Sequence, residues 1–336
     1  MAKSKPDGYT LLLTTPAIAA APVLYPSSRV DPSKDFVPVS NIAQTVPVLV
    51  VNPSVGVNSD VDFRADFALR DALSADFRRN ARGRLDVRYG AGARQLLDVF
   101  PADRPDASSA PIHVHVHGGF FRMGHKSSVS CVAQPFVAAG VSCVMPTYDL
   151  APAVSVETIV AQVLDAVEWV YRNGASFGNP DGIFVSGSSA GAHLCAMALN
   201  HDWTSRGLPP DVIKGAMLLT GICNLEPVLR TSLNPVIGLT PERVRALSPM
   251  HNPPIRPVPV LLQVGALEPP GWQAQSSEFE NVCRRAGCGT ELLVLPGETH
   301  FSIGPRIARH PDHPLAGRMI AMMNGAAGGP GRTAHA

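Results

Sequence analysis

Three short stretches of the chain carry residue types that can act together chemically. The first is Gly187-Ser188-Ser189-Ala190-Gly191, which follows the apolar run 183–186 and opens the helical pattern 190–200. A G-x-S-x-G sequence between a strand and a helix sets its central serine on a tight turn that projects the hydroxyl. Small neighbours are needed because the backbone there passes close to itself. Ser189 is therefore the candidate nucleophile, and Ser188 should face away. A serine hydroxyl needs a base to take its proton and a carboxylate to hold that base. The second stretch supplies both, in Val264-Gly-Ala-Leu-Glu268-Pro-Pro and Gly297-Glu298-Thr-His300-Phe. The order Ser189, Glu268, His300 is that of nucleophile, acid and base on a strand–helix architecture. Glu298 is the rival acid, but two residues from His300 in a loop it should point elsewhere. The third stretch is His117-Gly118-Gly119-Phe120. Its amides can approach a substrate oxygen without a side chain in the way, so Gly118, Gly119, Phe120 and Ala190 are the expected oxyanion-hole donors.

These groups must be held by something rigid. β-type runs occur at 95–100, 112–117, 141–145, 183–186, 215–219, 258–264 and 291–295, with helical patterns at 156–172, 190–200 and 273–286. Ser155 can cap the first of these helices and Gly174 can end it. Phe63, Phe67, Leu69 and Leu73 predict another helix over 63–82. Such alternation specifies an α/β fold: a mostly parallel sheet with helices on both faces, and ligands at the carboxyl ends of the strands. All three reactive stretches follow strands. Phe120, Phe121, Trp272 and Phe301 stand close to those strand ends and suggest a pocket tolerant of aromatic groups, although ordinary packing explains one or two of them as well. The stretch 225–250 reads as a small cap, with Leu225, Leu229 and Ile237 as candidate lining.

Composition narrows the function. Of 336 residues, 45% are hydrophobic and 16% charged, which excludes wholesale disorder. Lys+Arg number 28 against 27 Asp+Glu, so nothing points to nucleic acid or an anionic membrane. The six cysteines form no CxxC pair and read as buried core thiols of a reducing, cytoplasmic compartment. His113, His115 and His117 alternate along one strand, but no HxHxDH-type carboxylate follows, so packing is expected and no metal or organic cofactor is called for. Residues 1–25 have some features of an export signal, yet Pro6, Asp7, Thr14, Thr15 and Pro16 interrupt it. No run reaches the ~20 apolar residues of a membrane span.

Two resemblances complete the reading. Lys5-Pro-Asp-Gly-Tyr-Thr-Leu-Leu-Leu, Asp35-Phe-Val-Pro-Val and Val48-Leu-Val-Val-Asn-Pro-Ser resemble an internal piece of the periplasmic solute-binding proteins of tripartite tricarboxylate transport systems. The likeness covers about residues 2–59, too little for the two-lobed carboxylate cleft of that family, which implies an appendage without the binding function. From Arg84 to Ile320 the chain resembles the α/β hydrolases, in the kynurenine formamidase (arylformamidase) branch near the hormone-sensitive-lipase-like esterases. The likeness is carried by Leu85-Asp-Val-Arg-Tyr-Gly, His117-Gly-Gly-Phe-Phe-Arg, Tyr148-Asp-Leu-Ala-Pro, Ser189-Ala-Gly-Ala-His-Leu and Thr299-His-Phe-Ser-Ile. It implies the roles given above for Ser189, Glu268, His300 and the four amides. The elbow Gly-Ser-Ser-Ala-Gly-Ala, the pair Phe120-Phe121 and the motif Thr-His-Phe-Ser depart from the family's usual Gly-His-Ser-Ala-Gly-Gly, Tyr-Trp and Asp-His-Phe-Glu. These departures bear on the substrate more than on hydrolysis. The expectation is an extension over 1–60, a hydrolase domain over 61–323 and a loose tail over 324–336. Its partner would be a small, aromatic-leaning ester or amide, with general carboxylesterase or arylamidase/carbamate chemistry as the alternative. A non-catalytic carboxylate-binding protein is the reading from another class, and homodimerisation stays open.

Overall fold

Short, wholly apolar runs between turns bury both faces of a strand, which is the signature of a parallel sheet covered by helices. The structure, a computed structural model, describes residues 60–310 and 313–325, with side chains from residue 64. The expected extension and most of the expected tail lie outside these residues. The described chain begins with helix α1 (Asp60–Asn80) and continues through β1 (Arg84–Arg88), β2 (Leu96–Phe100), β3 (Ile112–Val116), α2 (Ala133–Ala138) and β4 (Ser142–Pro146). Then come α3 (Val156–Asn173), β5 (Ile183–Ser188), α4 (Ala190–Leu199), β6 (Ile213–Leu219), α5 (Asn234–Ile237) and α6 (Pro241–Leu247). The fold closes with β7 (Val260–Gly265), α7 (Pro270–Arg285), β8 (Thr290–Leu295), α8 (Ile303–Arg309) and α9 (Pro314–Met323).

The eight strands form one sheet in the order β1-β2-β4-β3-β5-β6-β7-β8. β1 and β2 pair antiparallel, β2 pairs antiparallel with β4, and all other pairings are parallel. One face packs on α3, α4 and α7 through residues such as Val163, Val167, Leu194 and Phe279. The other packs on α1, α2, α8 and α9 through Phe77, Phe136, Ile303 and Met319. Every expected strand is present within two residues. β1 was not expected: Leu85 and Val87 do alternate with Arg84, Asp86 and Arg88, but five mostly exposed residues at an edge, interrupted by a bulge, make too short an apolar pattern to announce a strand.

Local chemistry explains the helix ends. Ser155 Oγ accepts the N–H of Thr158 and caps α3, whose Val156, Ile159, Val163, Val167 and Val170 form the buried stripe. Gly174 does end α3, but in right-handed geometry that leads into a further 3-10 turn. A Cβ at Gly174 would lie 2.8 Å from Ile112 Cδ1, so the small residue leaves room for that side chain. The stretch 225–250 folds as a 3-10 turn followed by α5 and α6. Its Leu225, Ile237, Val244 and Leu247 join the main core, and Arg243 pairs with Glu157 of α3.

α1 is fastened to the sheet by charge as well as by packing. Asp98 on β2 and the Lys126 side chain are both fully buried. Lys126 Nζ lies 2.8 Å from Asp98 Oδ1 and 2.5 Å from Asp86, while Arg78 of α1 binds the other Asp98 oxygen. Ser74 adds a bridge, donating to the Ser128 carbonyl and accepting from the Cys131 N–H, both at 3.1 Å. Removing one member of a buried ion cluster strands the others. Asp98→Ala is thus expected to lower unfolding free energy by ~3–5 kcal/mol, read from urea denaturation. A change below ~1 kcal/mol would contradict the role given to the cluster.

Candidate active site

The turn after β5 is built by exclusion of side chains. Ser189 has φ 56° and ψ −119°, a backbone conformation that non-glycine residues rarely hold without a surrounding structure that enforces it. The enforcement is visible on both sides. A Cβ on Gly187 would lie 2.3 Å from Gly191 C, and one on Gly191 would lie 2.0 Å from the Val116 carbonyl oxygen of β3. The Ser189 N–H donates to the Leu219 carbonyl at the end of β6, and the His193 N–H of α4 donates to the Ser189 carbonyl. The helix therefore starts at Ala190, whose amide is in the first turn and has no carbonyl four residues back to bond.

The glycine loop after β3 comes to the same place. A Cβ on Gly118 would be 2.5 Å from the Ser188 oxygen and 3.2 Å from Ser189 Cβ, which sets this backbone directly beside the turn. Gly119, Phe120 and Phe121 all have positive φ. The Gly119 carbonyl is used by Arg122 and Met123. The amides of Gly119 and Phe120 make no hydrogen bond among the described residues. The loop is anchored by Tyr148, whose ring stacks on His117 at 4.2 Å and whose hydroxyl donates to the His117 carbonyl at 2.7 Å. Arg94 adds bonds to the carbonyls of Tyr148 and Gly124.

Glu268 and His300 meet across the ends of β7 and β8. His300 Nδ1 donates to Glu268 Oε2 at 2.8 Å, and Glu268 Oε1 accepts the Gly265 N–H at 2.8 Å. The Glu268 side chain is fully buried, so both of its oxygens are committed within the protein. With Nδ1 engaged, Nε2 is the nitrogen left to exchange a proton. Among the described residues Ser189 Oγ makes no hydrogen bond to His300; such contacts often tighten only when substrate binds. Glu298 points elsewhere, as expected: it accepts from Ser302 Oγ at 2.5 Å and pairs with Arg306 at 3.1 Å.

The four expected pocket residues separate into two pairs. Trp272 and Phe301 flank His300, with ring centroids 4.5 and 5.0 Å from the imidazole. Phe121 and Leu225 are fully enclosed. Phe121 packs edge-on against His193 at 5.1 Å, so these two stand behind the site rather than on its surface. The strand histidines have partners of their own. His113 Nε2 and His115 Nδ1 lie 2.6 and 2.7 Å from the single Ser186 hydroxyl, which can accept from one and donate to the other. Among the described residues no cluster of His, Cys, Asp or Glu has the form of a metal site. Burial pushes the pKa of His115 down to about 4, and that of His117 to about 3 despite its bond to the Gly118 carbonyl. Sequence reasoning did not find the Gly265 amide, the Arg94 and Tyr148 anchors, or Phe67, whose ring meets Phe301 at 5.4 Å. Only the Tyr148-Asp-Leu-Ala-Pro motif signalled any of them.

Residues 113–256 match the family model described as alpha/beta hydrolase fold, and residues 1–65 match the tripartite tricarboxylate transporter family receptor. A kynurenine formamidase of Salmo salar is 30% identical over 250 residues, spanning 71% of this chain and 81% of that protein. This chain belongs to the α/β-hydrolase family, in its kynurenine formamidase branch. Esterase LipQ of Mycobacterium tuberculosis is also similar, 27% identical over 277 residues, 75% of this hydrolase chain and 65% of LipQ. Among solved structures, a putative thioesterase from Silicibacter sp. superposes with a TM-score of 0.65 at 26% identity, covering 80% of this chain and 95% of that one. Within the described residues no helix of the hydrolase is long and apolar enough to cross a membrane.

Two outcomes follow from the geometry. Gly191→Ala drives a methyl into the β3 backbone and should destabilise the protein by ~2 kcal/mol or more, whereas Gly317→Ala, in open space on α9, should be neutral or slightly stabilising. Thermal unfolding of the pair compares them directly, and equal melting temperatures would refute the steric reading. The second concerns pH. A buried imidazole whose pKa is lowered takes its proton only at a cost in the folded state, so stability is complete above ~6.5 and declines as pH falls toward about 4. His115 alone contributes up to ~3 kcal/mol of this loss. Denaturant midpoints should therefore fall steadily from pH 7 to pH 4.5, and a flat profile would count against it.

Proposed function

We propose that the protein is a serine hydrolase that cleaves a small ester or amide, arylformamide-like in its leaving group, through an acyl-enzyme. The observation that supports this most is that a strained serine turn, a glycine loop with unbonded amides and a buried Glu268–His300 pair all follow the carboxyl ends of parallel strands in one sheet. His300 Nε2 takes the Ser189 proton as the oxygen attacks the carbonyl carbon. The amides of Gly118, Gly119, Phe120 and Ala190 hold the oxyanion. Glu268 keeps the imidazole in the tautomer that presents Nε2 and stabilises its charged form. The tetrahedral intermediate collapses, His300 passes the proton to the departing amine or alcohol, and the acyl group stays on Ser189. Water, deprotonated by the same nitrogen, then releases the acid. Apart from the substrate and that water, each step uses groups of this chain.

The kynurenine formamidase relative supports an aryl formamide as substrate. The elbow residue Ser188 and the Thr299-His300-Phe301-Ser302 motif, both unlike that branch, favour a second reading as a broader carboxylesterase or arylamidase. All six thiols are free and buried, which supports a reducing, cytoplasmic compartment.

Ser189→Ala should abolish turnover while keeping the wild-type melting temperature. Glu268→Gln should lower kcat by ~10²–10⁴-fold. Rates on an aryl formamide, a short p-nitrophenyl ester and an anilide separate the two readings, since a formamidase prefers the first by a wide margin. Undiminished hydrolysis by folded Ser189→Ala would refute the mechanism.

A further inference from the structure

The proton delivered to the leaving group comes from His300, so whatever borders that imidazole on its accessible side borders the leaving group. Two aromatic rings flank the imidazole, and a third packs on one of them. Trp272, in the first turn of α7, lies 4.5 Å from the imidazole with the rings tilted at 55°. Phe301 meets it edge-on at 5.0 Å and remains 36% exposed, one of the larger accessible apolar side chains among the described residues. Phe67 of α1 meets Phe301 at 5.4 Å, and the Arg70 guanidinium covers the Phe67 ring at 4.3 Å. Phe67 continues the stripe of α1 that carries Ser74 and Phe77 into the core, two and then nearly three turns further along. At Phe67, however, the stripe ends on a half-buried ring that reaches His300 only through Phe301.

Position 67 is thus unlike an ordinary core contact. Its helix is fixed by the Arg78–Asp98–Lys126 cluster and by Ser74, so the ring is presented from a rigid element. Its cationic cover and its tilted contact with Phe301 each favour one ring orientation.

We propose that Phe67, with Phe301 and Trp272, forms the wall that receives an aryl leaving group, and that Phe67 is the specificity-determining residue α1 contributes. This rests on the assignment of Ser189 and His300 given above. A planar aryl amine or phenol gains offset or edge contacts with the three rings as it departs, and a methyl or ethyl leaving group is too small to reach them.

The test holds the acyl group constant and varies the leaving group, comparing p-nitrophenyl acetate with ethyl acetate. kcat/KM reports the acylation half, in which the two substrates differ, whereas deacylation of the acetyl-enzyme is common to both. Phe67→Ala should lower the aryl-to-ethyl ratio of kcat/KM about tenfold, mainly through KM for the aryl ester. Phe67→Leu, which keeps apolar volume but removes the ring, should move the ratio the same way, and Phe67→Tyr should keep it. Labelling of Ser189 by a small fluorophosphonate accompanies each assay. A changed ratio with labelling retained supports the wall; an unchanged ratio in both Phe67→Ala and Phe67→Leu overturns it. Absence of labelling in the wild-type protein is a separate result, which overturns the serine assignment itself.

Discussion

Everything at the proposed catalytic end of the sheet depends on how closely two backbones can pass. Gly191 lies against the carbonyl of Val116, Gly187 against Gly191, and Gly118 against Ser188, each at a separation that admits no side chain. Those contacts hold Ser189 in a conformation it would not keep alone, and they bring the β3 loop within reach of the same serine. The strain is small against the burial of the surrounding sheet, whose central strands are almost wholly removed from water. The rigid core therefore supplies what the turn cannot supply for itself.

The proposed acid–base pair is organised on a different principle. Glu268 and His300 come from loops 32 residues apart in the chain, joined because β7 and β8 are neighbours and because the Leu267 amide donates to the Glu298 carbonyl. The hydrogen bond from Gly265 to Glu268 occupies the oxygen that the imidazole does not use. A Glu in this place, one carbon longer than Asp, reaches the histidine while its backbone remains in the tight turn after β7.

Much of this was legible beforehand, for physical reasons. A buried parallel strand must be apolar along its length, so seven strands announced themselves, and a strand-to-helix serine needs small neighbours, so the elbow did too. The order of the reactive residues followed from the topology. What stayed hidden depended on contacts between distant segments. β1 is a charged edge strand, and its partner Asp98 looks unremarkable until Arg78 and Lys126 converge on it. Phe67 reads only as one more position on a helical face. Phe121 and Leu225 illustrate the opposite limit, since a place after a strand end in the chain did not say whether a side chain faces the proposed site or the core behind it.

The cysteines carry a practical consequence. All six are buried, and burial raises the thiol pKa of each. Thiolate is the reactive form, so the native chain offers thiol reagents almost nothing to modify. A single cysteine introduced on the surface, on α1 for instance, would thus carry a fluorophore or spin label against a silent background, with no need to strip the natural thiols from the core.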